Sequence, residues 1–475
     1  MQITYDAPVS PKLIRESLAG ASSRPYWLEN AGKERPAFLD GPDIATEWDL
    51  VVVGGGFTGL WAALLAKQRD PGLRVALLEA ERVAWSASGR NGGFVESSVT
   101  HGESNGRNRW PSEYDQLERL GIENLDQIEA TVKELGIDCD FQRTGSLNVA
   151  VEPYQERRLL SLDPQAIAPA RVLSREEVAK EVNSPVYRAA WYDVRTNANV
   201  NPAKLAFGLA KAAAEAGVEV FENTKVRGLG RDGRSISLLT DRSTMTASKV
   251  VLATNVYPAL LQRYRLHTVP WYDYALMTEP LSKAQLAELG WHNRQGLADL
   301  SKQFHYYRMT SDNRILFGGY DAVYYFGGQV RASYDNRPET WERLARHFFI
   351  TYPYLEGIKF TNQWGGPIDC STSFGAFFGK GYDGQVVHSA GFTGLGVGAS
   401  RFAARVMLDM LGREPTELTE LEMVRRPPLP FPPEPFTAIG INTAKWAIDR
   451  SDHNEGRPNP ILRVLAALGL GYEVT

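Results

Sequence analysis

The segment whose residue types and spacing most directly imply chemistry is Gly54-Gly55-Gly56-Phe57-Thr58-Gly59, a G-x-G-x-x-G. It follows Asp49-Leu50-Val51-Val52-Val53, a short β-branched run that reads as a parallel strand buried on both faces. Leu60 to Lys67 has helix-forming composition, Asp70-Pro71-Gly72 ends it, and Arg74 to Glu79 reads as a second strand. Gly54 permits the tight turn, Gly56 lets backbone amides approach a pyrophosphate, and Gly59 lets helix and strand pack closely. The positive end of the helix then faces the phosphates. Glu79 lies 20 residues beyond Gly59, at a strand tip, where an acid accepts ribose hydroxyls. A bare glycine-rich turn would not need the second strand or the terminal acid. The whole unit predicts dinucleotide binding.

The next segment distinguishes between dinucleotides. Ser86-Ala87-Ser88-Gly89-Arg90-Asn91-Gly92-Gly93-Phe94 is a small-residue loop where a nicotinamide domain would continue into another crossover helix. Backbone donors in such a loop suit the edge of a flat ring, which points to FAD. The loop resembles that of the D-amino-acid oxidase superfamily of flavoproteins, in particular the branch containing γ-glutamylputrescine oxidase, which carries a similar S-G-R-N-G-G. The resemblance implies that Ser88, Arg90, Asn91, Gly92 and Gly93 join Gly54, Gly56, Phe57, Thr58, Gly59 and Glu79 at the cofactor.

The resemblance runs through most of the chain. Asn201 reads as an N-cap, Pro202 as the first helical residue and Gly217 as the stop of a helix over Ala203 to Ala216. Val218 to Val226 resembles the superfamily strand whose backbone meets the adenine, with Val226 as the contact. Lys249 to Asn255 resembles the strand ending A-T-N that closes over FAD, which brings in Thr254 and Asn255. Ser389 to Val397 opens a helix running to about Leu411. In the family the amides of this loop, here Gly391, Thr393, Gly394, Leu395, Gly396 and Val397, face the flavin's pyrimidine edge. A helix N-terminus there stabilises negative charge on reduced flavin.

On the substrate side, Phe304-His305-Tyr306-Tyr307-Arg308-Met309 is strand-like, and period two puts Phe304, Tyr306 and Arg308 on one face, His305 and Tyr307 on the other. The resemblance assigns Tyr306 and Arg308 to the substrate. Trp364-Gly365-Gly366-Pro367-Ile368-Asp369 matches a W-G-G-x-I-D of the same branch. Amino-acid-oxidising members carry arginine and proline after W-x-G, and that arginine clamps a carboxylate. With Ile368 and Asp369 in their place, Trp364 and Asp369 are expected to meet an amine, unless Asp369 merely caps a turn. Phe374, Ala376 and Leu395 depart from the branch pattern. The flavin-tethering cysteine of sarcosine oxidases has no counterpart, although Cys370 is near, so noncovalent FAD is expected. Their oxygen-activating lysine is also missing, with Arg314-Ile315-Leu316 aligned there, so oxygen or another acceptor stays open.

These residues need an α/β architecture: a Rossmann-type FAD domain interleaved with an α+β substrate domain on a mixed or antiparallel sheet, plus a C-terminal helical extension. The expected division is 1–47 as an N-terminal arm anchored by Tyr26 and Trp27; 48–104, 200–259 and 381–411 for FAD; 105–199 and 260–380 for substrate; and 412–475 as the extension. Helix is expected near Tyr114 to Leu135 and strand over Thr144 to Ala150. The proline run Arg425 to Pro433 reads as a tether strapping two helical pieces, Ile439 to Arg450 and Ile461 to Leu470, across the body rather than as an SH3-type ligand. At 475 residues more than one core is expected. A net charge of −4 argues against a nucleic-acid partner, since no basic excess exists to neutralise phosphates. Two cysteines build neither a disulfide framework nor a zinc site. No secretory h-region or transmembrane run is seen, so a cytoplasmic enzyme is expected.

The expected chemistry is transfer of a hydride from the carbon beside an amine nitrogen to flavin N5, then imine hydrolysis. An α-amino-acid oxidase, favoured if Arg308 meets a carboxylate, and a flavin-binding subunit without turnover are the alternatives.

Overall fold

A computed structural model describes residues 2–41, 47–165, 169–412 and 414–467. The run of buried Val51, Val52 and Val53 forms the strand Glu47–Val53, flanked in parallel by Val75–Leu78 and by Thr244–Leu252. Val218–Glu222 extends this sheet beyond Val75–Leu78, and Val386–Ala390 joins Thr244–Leu252 on its C-terminal half. A hairpin, Val226–Asp232 and Ser235–Thr240, pairs with the N-terminal half of Thr244–Leu252. The helices Phe57–Arg69, Pro202–Glu215 and Gly396–Met410 pack together and share one apolar core with the sheet. Local signals fix their ends: Asn201 accepts from Lys204 N, Pro202 opens the helix, and Gly217 follows with φ +89°.

The second sheet has eight strands, in the order Phe360–Ser371, Thr268–Thr278, Ile315–Gly319, His305–Met309, Gly296–Asp299, Ser146–Ala150, Ala189–Asp193, Arg171–Leu173. It is antiparallel except where Gly296–Asp299 runs parallel to Ser146–Ala150. One of its faces buries Tyr307 and Phe317 against the helix Pro338–Thr351 and its C-cap Tyr352, while Tyr306 packs into the core of the first sheet. The period-two reading of this strand holds.

One expectation changes, and the anchoring of the arm by Tyr26 and Trp27 holds. The strand begun at Val218 does not reach Val226: it ends at Glu222, and Asn223 turns the chain with φ +50°. The N-terminal arm carries helices Pro11–Leu18 and Tyr26–Asn30, and Tyr5 and Trp27 are buried in the two main cores. Its short amphipathic turns are too brief to register as a period.

The C-terminal extension lies on the body. Phe431 N donates to Leu266 O, Gly327 N to Glu434, Lys445 to Asp321, and Lys302 N and Gln303 N to Asp452. Its last helix is described as Pro460–Ala467; the expected stretch to Leu470 lies outside the described residues. Truncation after Arg425 is expected to strip these contacts, lowering melting temperature and solubility, as thermal unfolding and sedimentation would report. Among the described residues no helix is long and apolar enough to cross a membrane.

Candidate active site

The glycine turn is built from close approaches. Gly54 adopts φ +116°, and a Cβ there would lie 2.4 Å from Ala253 O, in the A-T-N turn. A Cβ on Gly59 would lie 1.9 Å from Gly54 O. Phe57 N donates to Ser88 Oγ at 2.9 Å, so the start of the helix Phe57–Arg69 is tied to the second loop. Phe57 is buried, and Thr58 is half-buried in the first turn, where amides lack helical partners. Glu79, just past Val75–Leu78, accepts from Gly55 N at 2.7 Å and Glu81 N at 2.9 Å, and burial pushes its carboxyl above the usual range. Thr224 N donates to Glu79 O, which places Val226 two residues from this edge, opposite Thr240.

The loop Ser88–Gly93 is braced from several sides. Asn91 Nδ2 donates to Ala87 O and Ser88 O, and Asn91 Oδ1 accepts from Gly93 N at 2.8 Å. Two indoles pin the backbone: Trp27 Nε1 donates to Asn91 O and Trp364 Nε1 to Arg90 O, both at 2.8 Å. Arg90 is spent on Asp335 and Gly365 O. Gly92 lies against Phe94 and Tyr306, and Gly93, at φ +78°, against Val200 O and Arg308.

On the far side, the turn after Val386–Ala390 needs positive φ at Gly391 (+83°), Thr393 (+51°) and Gly394 (+93°). Leu395 is the N-cap residue of the helix that starts at Gly396, with Val397 buried. His101, whose role the sequence did not suggest, lies with Nε2 3.1 Å from Thr393 O, and burial lowers its pKa. Thr254 Oγ1 is buried with no partner beside Asn255, which takes φ +52°.

The substrate-side expectations need correction. Asp369 is 2% exposed, and its carboxylate accepts from Gly391 N at 2.6 Å, with Asn255 also hydrogen-bonded to it. Burial pushes that carboxyl up to about 7. It orders the loop at Gly391 rather than presenting a free charge. Arg308 likewise donates through Nη1 to Gly93 O at 2.9 Å and Val200 O at 2.6 Å. Its Nη1 is committed to backbone, and the cavity that Arg308 lines does not include Tyr306 or Asp273, so the condition that favoured an α-amino-acid oxidase is not met beside Tyr306. Trp364 braces Arg90, as above. Tyr306 does reach the loop, its ring edge-on to Phe94, and its hydroxyl donates to Asp273 at 2.6 Å.

Asp273 was not singled out in the sequence. It sits opposite Gly366 in the paired strands, and burial pushes its carboxyl up to about 6. Glu96 was also missed. Strand alternation puts it on the same side as Phe94, which meets Tyr306; burial raises its pKa, and its carboxyl has no partner among the described residues.

Residues 49–410 match the DAO family of FAD dependent oxidoreductases. The chain belongs to that family. The residues fit the cofactor: at Gly56 a Cβ would come 2.9 Å from Ser88 Oγ, closing the space a pyrophosphate needs, and the unpartnered Thr254 hydroxyl awaits a bond. This family member is 29% identical over 443 residues to gamma-glutamylputrescine oxidoreductase of Escherichia coli, covering 87% of the chain and 96% of the relative. It is 25% identical to the probable oxidoreductase OrdL of Haemophilus influenzae, covering 80% and 86%. Its fold is similar to the crystal structure of glycine oxidase from Geobacillus kaustophilus, with TM-score 0.64, 21% identity, and coverage of 80% of this chain and 100% of that one.

Proposed function

We propose that this FAD-dependent oxidoreductase oxidises the C–N bond of an amine that carries positive charge, rather than an α-amino acid. The observation that carries this reading is the sign of the groups around Tyr306. Asp273 accepts from the Tyr306 hydroxyl, and Glu96 shares a strand side with Phe94, whose ring meets Tyr306. Arg90, by contrast, is committed to Asp335 and Gly365 O, and Arg308 Nη1 to Gly93 O and Val200 O. A substrate carboxylate beside Tyr306 would meet Glu96 with no arginine in reach but Arg308 Nη1, which backbone carbonyls already hold. The likeness to gamma-glutamylputrescine oxidoreductase supports the same class. The glycine-loop sheet would hold FAD noncovalently, and the eight-stranded sheet would line the substrate space.

Bound FAD supplies a two-electron acceptor for the hydride leaving the carbon next to nitrogen. The residues of the chain do the rest. Tyr306, held by Asp273, fixes the wall against which the substrate carbon lies. Glu96 attracts the cationic end. The loop at Gly391, held by Asp369, would offer its amides and the start of a helix to bound FAD. The imine product is hydrolysed by water, and oxygen or another acceptor returns the enzyme to its oxidised state.

Glu96→Gln tests the reading. With one partner of a partly buried ion pair removed, the apparent KM for the best amine is expected to rise at least tenfold, with flavin content unchanged. Unchanged KM across a panel of cationic and neutral amines would contradict it.

A further inference from the structure

We propose that the cavity beside Arg308 binds a small oxyanion, such as phosphate or a carboxylate, and that its occupant braces the glycine loop from behind. The cavity holds about 120 Å³ and is walled by Trp27, Asn201, Lys204, Arg308, Asp140 and Asp312, among others. Gly92 and Tyr306 are not among its walls, and Arg308 connects it to the loop through the two carbonyls that it grips.

Three features of the wall select an anion. First, Arg308 is 2% exposed, yet both its hydrogen bonds leave from Nη1, and Nε is buried without a partner. A guanidinium offers five N–H donors, so most of this one is unused. Its charge rests on the Trp27 ring at 5.4 Å, and it forms no ion pair among the described residues. Asp140 in the wall favours its charged form but does not offset the burial, and an anion in the cavity lowers the remaining cost. Second, the 14-residue helix Pro202–Glu215 begins here at its N-cap Asn201, turning its positive end to the cavity. Third, Lys204 stands in the wall, with Nζ 3.9 Å from Asp140 Oδ2.

The two acids in the wall differ. Asp312 is already occupied by Tyr26, Thr310 and Arg314. Asp140 competes with an incoming anion for Lys204, which gives the proposal a sign that can be checked. An anion that keeps Arg308 charged and in place also keeps Gly93 O and Val200 O in register, and so steadies Ser88–Gly93.

The test titrates the FAD-loaded protein with sodium phosphate and, separately, sodium acetate, against sodium chloride at matched ionic strength. Melting temperature and the rate of FAD release on dilution are followed. A saturable rise of about 2–3 °C at a hundredfold excess over Kd is expected for at least one oxyanion, with slower FAD release. Lys204→Met should weaken binding at least tenfold, and Asp140→Asn should tighten it severalfold. A response no different from chloride overturns the site. So does Lys204→Met binding with wild-type affinity, or Asp140→Asn binding more weakly than wild type.

Discussion

Gly59→Ala is expected to give a colourless, destabilised protein. A Cβ at this position would lie 1.9 Å from Gly54 O and 3.3 Å from Val52 Cγ1, both on the strand side of the turn. The backbone carbonyl cannot rotate away, because Gly54 is itself held by N–H donation to Leu78 O at 2.8 Å. The helix Phe57–Arg69 must therefore back off the sheet, at a cost of about 3 kcal/mol for overpacking of this kind. Its first-turn amides then leave the place where a pyrophosphate would meet them, and FAD retention should fall by more than tenfold. Gly228→Ala is the control, since nothing lies within 4 Å of a Cβ there. The flavin-to-protein absorbance ratio after purification, with thermal unfolding, checks both. A yellow Gly59→Ala protein with wild-type melting temperature would show that the turn has slack that these distances deny.

The second large effect is at Asp369. Asp369→Ala removes the acceptor of a buried 2.6 Å bond from Gly391 N, and the orphaned amide should cost about 2–3 kcal/mol. The turn over Gly391, Thr393 and Gly394 would lose its anchor, so FAD should be held more weakly. Asp369→Asn keeps an acceptor and should keep most of the FAD. In both variants the ranking of substrates is expected to stay as in the wild type. An Asn variant with full flavin but a reordered ranking would return Asp369 to the substrate. The residue also leaves a pH signature. Its carboxyl titrates at about 7 in the folded chain, against 3.8 for an ordinary aspartate, so between those values the folded state keeps a proton that the unfolded chain has lost. Wild type should therefore lose stability relative to Asp369→Asn as pH rises from about 4 to about 7, with the gap constant above. Urea unfolding at a series of pH values measures this directly.

What the sequence made legible was what local chemistry dictates. The glycine turn, the Asn201 cap with Pro202 behind it, and the alternation of Tyr306 with Tyr307 each depend on residues within a few positions of one another. The side-chain roles that failed depend on distant partners. At Asp369 local sequence leaves substrate charge and turn cap both open, and only Gly391, 22 residues on, decides for the turn. Arg308 looked available until Gly93, 215 residues away, was brought under it. Asp273 and Glu96 carry no motif, and only the pairing with Gly366 and the contact of Phe94 with Tyr306 draws attention to them. The break at Asn223 was hidden because an asparagine, not a glycine, takes the left-handed turn. His101 could have been noticed as one of only seven histidines, but nothing nearby tied it to the turn at Thr393.

Anaerobic mixing of the oxidised, FAD-loaded protein with a panel of substrates, following loss of flavin absorbance, tests the central claim most directly. The panel should hold diamines and their N-acylated forms, simple monoamines, and the amino acids glycine, sarcosine and proline. Acids toward Tyr306, with Arg308 opening on a cavity that Tyr306 does not line, predict that an amine bearing a second positive or polar group, and no carboxylate on the reacting carbon, bleaches the flavin fastest, at least tenfold faster than any amino acid. Fastest bleaching by glycine, sarcosine or proline would contradict the amine assignment, and no bleaching by any member would contradict it equally.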